Sequence, residues 1–517
     1  MSTRRDFLRS LAALGAVGIT SGCATAIKKP RFAADPFRLG VASGYPGATS
    51  VVLWTRLVVD PDAPAGGIDP VPVAVRWEIA RDESLGEVVA SGTVTAQPEW
   101  AHAVHVEVTG LEPARWYWYR FNAGDAASPV GRTRTAPPRA STEPLRFAFA
   151  SCQQYEQGFY GAWRQVSRDA PDLVAFLGDY IYESSWGRDL VRSHGAGEPY
   201  TLDEYRRRYA RYKSDPDLQA AHAACPWILT WDDHEVDNDY ANDRPEDGLP
   251  REAFLLRRAA AYRAYYEHMP LPARMRPDGL AMRIHTTLDW GALARFYVLD
   301  DRQYRSWQAC PRPGRSGGSN TVDVAECPAL FDPRRTMLGV AQERWLEREL
   351  ARADARWNVL AQQTPLAQFD QQPGPGRRAW TDGWDGYPAA RRRLLEALVA
   401  RRVANPVAIG GDVHSFSASD LKIDFDDPAS PTVASELVTT SITSQGWPYE
   451  RLQRFLPENP HIRFADSRFR GYTRVEVTMS ALRADLRAME SVATPAAGCH
   501  TLASFVVEDG RPGPQRV

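Results

Sequence analysis

At 517 residues the chain is too long for one ordinary hydrophobic core and predicts at least two domains. Hydrophobic residues make up 44% of it and charged residues 24%, and the formal charge of -2 lacks the basic excess that nucleic acid or anionic membrane surfaces select. The amino terminus carries Arg4-Arg5-Asp6-Phe7-Leu8, an uncharged apolar stretch from Leu11 to Gly22, and then Ala24-Thr25-Ala26. This order reads as a twin-arginine export signal over residues 1–26. It implies the twin-arginine translocation machinery as a partner and a periplasmic or secreted destination. Thr20-Ser21-Gly22-Cys23 also resembles a lipoprotein cleavage site, so a lipid anchor at Cys23 is the alternative fate of this end. No later run reaches the roughly 18 apolar residues of a membrane span, so none is expected in the mature chain. An oxidising destination permits disulfides, and Cys310 with Cys327, in a Gly/Pro-rich loop, is the expected pair.

From Phe37 to Ala136 the pattern is all-β. Ser50–Thr55, Val73–Ile79, Ala103–Val108 and Trp116–Phe121 are β-rich or alternating runs between turn residues, spaced as in a sandwich. Leu111-Glu112-Pro113 leading to Tyr117 resembles the tyrosine corner of fibronectin type III domains. A Pro-rich stretch follows, and a second domain is expected over 145–510. There strands such as Phe147–Ala150, Leu173–Leu177, Arg295–Leu299, Trp357–Ala361 and Val407–Ile409 alternate with helical patterns. One of these helices opens on the capping box Thr201-x-x-Glu204. The fold class is therefore multidomain: a β-sandwich followed by an α/β domain of layered mixed sheets flanked by helices. Arg474–Leu486 and Thr501–Glu508 add edge strands.

Three motifs close apolar strand patterns: Gly178-Asp179-Tyr180-Ile181-Tyr182, Trp231-Asp232-Asp233-His234-Glu235 and Gly410-Gly411-Asp412-Val413-His414. Polar residues at the carboxyl ends of neighbouring strands converge on one sheet edge, and these read as a single metal site. An Asp followed three residues later by Tyr, the spacing of purple acid phosphatases, suits a ferric ion, because phenolate is a hard, strongly donating ligand. Asp233 and Asp412 stand where binuclear metallophosphatases carry amide and imidazole. An oxygen-only second position favours Ca²⁺, Mn²⁺ or Mg²⁺ over zinc. Cys152 ends the first strand of the domain. On spacing alone it is equally a metal ligand, a small core residue or a disulfide partner. His234 beside Asp233 is the candidate catalytic residue, a phosphate-binding or general-acid group. Asn238 and Arg302 are the candidate substrate-binding residues. A solvated loop and a salt-bridge partner are the plainer readings of those two, and Asn238 could also offer calcium an amide oxygen. Asp232 is read as fixing the turn.

Taken together, the chain resembles the PhoD family of exported alkaline phosphatases. The resemblance rests on the signal, Gly40-Val41-Ala42-Ser43-Gly44, Val52-Leu53-Trp54-Thr55-Arg56, Ala150-Ser151-Cys152-Gln153, the three motifs, Leu299-Asp300-Asp301-Arg302-Gln303-Tyr304-Arg305 and Trp384-Asp385-Gly386-Tyr387, in order over nearly the full length. One departure is Tyr45, where the family usually has Asp. The resemblance implies Fe³⁺ and Ca²⁺ as cofactors, with Cys152, Asp179, Tyr182 and His414 at the iron position and Asp233 and Asp412 at the calcium position. It also implies hydrolysis of phosphomonoesters, with phosphodiesters as further substrates, by a metal-activated hydroxide. Competing expectations are a phospholipase D-like phosphodiesterase and a non-catalytic binding protein on the same fold.

Overall fold

The computed structural model describes residues 31–517, so the expected signal peptide and Cys23 lie outside the described residues. Two large mixed sheets form the centre. In the ten-stranded sheet, Leu145–Ala150, Leu173–Phe176, Pro226–Leu229 and Val41–Gly44 run parallel, and Arg470–Val477, Ala481–Met489, Cys499–Glu508 and Arg511–Arg516 extend one side antiparallel. In the seven-stranded sheet, Ala294–Val298, Trp357–Ala361, Pro406–Gly410 and Thr432–Val438 are parallel. Phe416–Lys422 and Ile462–Asp466 lie beyond them.

Strand alternation assigns each side chain to a layer. Phe296, Val298, Val359, Ala361, Val407 and Ile409 face inward and share one core with Phe147, Phe149, Val174 and Ile228 of the other sheet. Phe147 meets Phe296 edge to face at 5.3 Å. The intervening Tyr297, Leu360 and Ala408 face outward, beneath Leu346 and Leu350 of the Gly339–Leu350 helix and Leu394, Leu395 and Leu398 of the Pro388–Ala400 helix. Both faces of the parallel strands are therefore covered, which is why they read as unbroken apolar runs. The Leu202–Lys213 helix opens on its capping box: the Glu204 N–H donates to Thr201 Oγ1 at 3.4 Å, and the Thr201 N–H donates to Glu204 Oε2 at 2.8 Å.

The amino-terminal region is a β-sandwich. Val75, Ile79, Tyr119 and Phe121 of one sheet pack against Val51, Leu53, Val104 and Val106 of the other. The Glu112 N–H donates to Tyr117 Oη at 2.9 Å, closing the tyrosine corner. The second layer of this sandwich is itself the end of the ten-stranded sheet, because Val41–Gly44 pairs in parallel with Pro226–Leu229. The two expected domains thus share a sheet, and the linker between them touches the turn before Ala294–Val298, where the Ala292 N–H donates to Ser141 O at 2.7 Å. Tyr45 sits at this junction, buried, with its hydroxyl donating to Leu229 O at 2.8 Å. Cys310 and Cys327 are disulfide-bonded, and Cys152, Cys225 and Cys499 are free. Among the described residues, no helix is long and apolar enough to cross a membrane.

Candidate metal centre

Four of the candidate ligands leave their strands through left-handed backbone: Cys152 at φ 59°, Asp179 at 58°, Asp412 at 64° and His414 at 54°. Non-glycine residues avoid this region, and its concentration here marks a site whose geometry the surrounding fold enforces. Two glycines let the loops close on one another. A Cβ on Gly178 would lie 2.5 Å from the backbone of Asp232, and one on Gly411 would lie 2.2 Å from Ser151 Oγ.

Cys152, Asp179 and His414 bring ligand atoms within 4.8 Å of one another. Tyr182 Oη joins them, 2.8 Å from Asp179 Oδ2 and 3.1 Å from His414 Nε2. His414 donates Nδ1–H to Gln445 O at 2.7 Å, which fixes the tautomer and leaves Nε2 bare toward Tyr182. Trp186 stacks on its outer face at 5.9 Å. Burial and the nearby Arg470 hold the His414 pKa down at about 3, so the ring stays neutral and ligand-ready. Burial, then Asp179 and Asp412, push the Cys152 thiol well above its ordinary range, and burial does the same to the Tyr182 phenol. Without a cation these groups hold their protons. A thiol, a phenol and carboxylates packed together in this way form a donor set that a metal ion would ionise.

A second group lies alongside. Asp232, Asp233 and Asp412 cluster, Asp179 and His234 cluster with Asp233, and Asp239 and Asp382 flank Asp233 on its far side. Asp412 Oδ2 is buried without a hydrogen-bond partner, and burial drives its carboxyl pKa well up. Asp233 goes the other way: burial opposes its ionisation, but Arg302 and His234 prevail and hold it below the usual carboxylate range. Apart from His234, this second group offers carboxylate oxygens, the donors that hard cations take.

Three polar residues hold the loops in place. Glu235 accepts from the backbone N–H of Asp179 at 3.1 Å, Tyr180 at 2.6 Å and Asp232 at 2.8 Å, tying two ligand loops with one carboxylate. Glu183 accepts from His234 Nδ1 at 2.7 Å, and His234 lines the cavity over the centre. Burial opposes charge on His234, but Glu183, Asp179 and Asp233 outweigh it and raise its pKa well above the ordinary value. Asp382 holds Arg302 and Arg305. Sequence reasoning quoted Glu235 without assigning it a role, and missed Glu183 and Asp382. Asp239 could have been found from its place in the acidic run after His234.

For Arg302 the structure shows the salt bridges that were weighed beside substrate binding. Its side chain is fully buried, with Nε paired to Asp232 and Nη1 2.5 Å from Asp382. Nη2 stops 3.8 Å from Asp233 and 3.9 Å from Asp412, making no hydrogen bond. Burying so many carboxylates requires a buried counter-charge, and Arg302 supplies it from behind the centre. Asn238 lines the cavity on its acidic side, donating to Glu246 at 2.8 Å.

The cavity has a volume of about 790 Å³ and runs from His234, Asp412 and His414 to Phe369 and Trp447. A centre of paired carboxylates and soft and hard donors at the mouth of such a cavity fits hydrolysis of a phosphate ester.

Comparison with known proteins agrees. The PhoD-like phosphatase family matches residues 147–486, and the PhoD-like phosphatase amino-terminal domain matches residues 22–137. The chain is 46% identical over 499 residues to alkaline phosphatase D of Bacillus subtilis strain 168, covering 94% of this chain and 83% of that protein. It superposes on a solved structure of PhoD with a TM-score of 0.89 at 46% identity, covering 94% of this chain and 93% of that one. A purple acid phosphatase from yellow lupin shares the fold at a TM-score of 0.57 and 13% identity, over 91% of this chain and 73% of that one. The chain belongs to the PhoD-like phosphatase family and is a metal-dependent phosphoric ester hydrolase.

Proposed function

We propose that the protein is an exported phosphatase that cleaves phosphomonoesters, and phosphodiesters as well, at a centre of Fe³⁺ and Ca²⁺. The observation that carries this reading is the convergence of Tyr182 Oη on Asp179 Oδ2 and His414 Nε2, at 2.8 and 3.1 Å, with the Cys152 thiol in the same cluster. Phenolate, thiolate, carboxylate and imidazole together suit Fe³⁺. Asp233 and Asp412, with Asp179 between the two groups, suit Ca²⁺, with Mn²⁺ or Mg²⁺ as alternatives. Bound there, the cations would supply an acidified water and positive charge for the phosphoryl oxygens.

The protein's own groups do the rest. His234, held through Nδ1 by Glu183, carries a proton that it can give to the leaving alkoxide. Arg302 keeps Asp232 and Asp382 from repelling the ligands Asp233 and Asp412. Trp186 and Tyr182 shield the first group from bulk water.

Elemental analysis of the purified protein, together with Cys152→Ala and Asp179→Asn, tests the centre. Iron and calcium should be present in the native protein, and both variants should lose metal and rate. Full metal content and full rate in both would sink the assignment. Export rests on Arg4-Arg5 and the apolar stretch after them. Replacing both arginines by lysine should leave the protein in the cytoplasm, and unaltered export would remove that part of the proposal.

A further inference from the structure

The end of the cavity away from the metal groups is built as a slot. Its floor is the outer face of the seven-stranded sheet. On the Phe416–Lys422 strand, Phe416 and Ala418 point into the core, while Ser417 and Ser419 share the opposite face with Leu421. Ser419 sits opposite Glu436 on one neighbouring strand and Ile462 on the other, and Ser417 sits opposite Ala465. Further along, this face carries Leu421 and Ala434 beneath helices. At the slot it carries small or polar residues instead, and the space they free is part of the cavity.

The roof is aromatic. Phe369, Trp447 and Phe455 form a triangle with ring centroids 5.9 to 6.2 Å apart, and the Arg451 guanidinium lies 4.5 Å over Trp447. Trp447 follows Gln445, whose carbonyl fixes His414, so one short segment links the iron-side ligand to the slot. The Ser419 hydroxyl is buried in the floor without a hydrogen-bond partner. Such a group costs stability until something pairs with it.

We infer that this slot binds the second alcohol arm of a phosphodiester, and that the arm it selects ends in a flat ring with a hydrogen-bonding edge. The inference rests on the phosphoric ester hydrolase reading of the metal centre and extends it to substrate class. A planar ring stacks on Trp447 and Phe369 and offers its edge to Ser419. A methylene chain would cover the same aromatics but leave Ser419 unpaired, whereas Glu436 needs no ligand because its two oxygens accept from the Leu366 and Ala367 N–H groups. A monoester leaves the slot empty.

The experiment compares kcat/KM of the metal-loaded, full-length enzyme for para-nitrophenyl phosphodiesters that differ only in the second arm: methyl, octyl, phenyl and thymidine. Para-nitrophenyl phosphate serves as the monoester reference. Stacking predicts that the thymidine arm exceeds methyl by about tenfold or more, with octyl between them. Trp447→Ala should collapse the thymidine-to-methyl ratio and Trp447→Phe should retain most of it. Ser419→Ala should lower thymidine relative to phenyl. Equal rates for all arms, or octyl as the best arm, would overturn the inference while leaving the hydrolase standing. No hydrolysis of any ester, the monoester included, would overturn both.

Discussion

Arg302 is the residue on which the electrostatics of the centre turn, because it meets carboxylates on three sides with no access to solvent. Arg302→Met should therefore cost about 3–5 kcal/mol of unfolding free energy in the metal-loaded protein, the range for leaving buried charges unpaired. Urea denaturation measures it. An unchanged midpoint with only KM raised would return Arg302 to a substrate-binding role. Glu183 acts on catalysis through His234. Glu183→Gln should slow phenyl phosphate, with its poor leaving group, about 10–100-fold more than para-nitrophenyl phosphate. Equal losses on the two substrates would reduce Glu183 to a structural role. The clustering of Asp179, Tyr182, Asp233, Asp412 and His414 was legible in the sequence because their motifs each close an apolar strand run, while the place of Cys152 among them came from the family resemblance. Glu183 and Asp382 were not, since their partners His234 and Arg302 lie 51 and 80 residues away and no spacing rule connects them.

Among the elements, the buried parallel strands were the most legible, because burial on both faces leaves continuous apolar runs. The Arg251–His268 helix escaped notice for the opposite reason. Arg257, Arg258, Glu267 and His268 are buried in it, so its inner face carries charge and the amphipathic pattern fails. Val88–Ala96 was missed because its residues are small and mostly exposed. The Arg251–His268 helix packs against the sandwich through His105, which stacks on Tyr266 at 4.4 Å and donates through Nε2 to the carbonyls of Tyr266 and Met269. Burial lowers the His105 pKa from 6.5 to about 4. The unfolded chain therefore binds a proton that the folded one refuses. The stability this contributes is present above pH 6.5 and lost as pH falls through about 4. With the ring partly exposed, the loss is roughly 2 kcal/mol. His105→Gln should flatten the fall in melting temperature over that range, and an identical pH profile in the variant would show that other groups cause it.

At the scale of the whole molecule, the ten-stranded sheet ignores the boundary that the sequence suggests near residue 137. Composition and turn residues mark where the chain changes pattern, but strand pairing between Val41–Gly44 and Pro226–Leu229 leaves no local trace. Removing residues 31–136 would bare the edge of Pro226–Leu229, an apolar strand, and should give aggregated protein. A soluble, active product with sharp unfolding would show that the catalytic layers stand alone. Metal removal acts globally too. Chelation at neutral pH should lower the melting temperature and readdition of the metals found by elemental analysis should restore it, because Cys152, Asp179, Asp233 and Asp412 come together only in the folded state. Indifference of the melting temperature to chelator would count against a resident metal.

The pairing of Leu145–Ala150 with Arg470–Val477 sets a timetable for biosynthesis. About 320 residues separate Ala150 from Arg470, roughly 16–64 s of synthesis at about 5–20 residues per second. For that interval the Leu145–Ala150 strand of the nascent chain has one bare edge, and for the part of it before His414 is made, Cys152 lacks that neighbour. The cluster therefore cannot be complete before His414 is made, and the strand edge beside it stays bare after that until Arg470–Val477 follows.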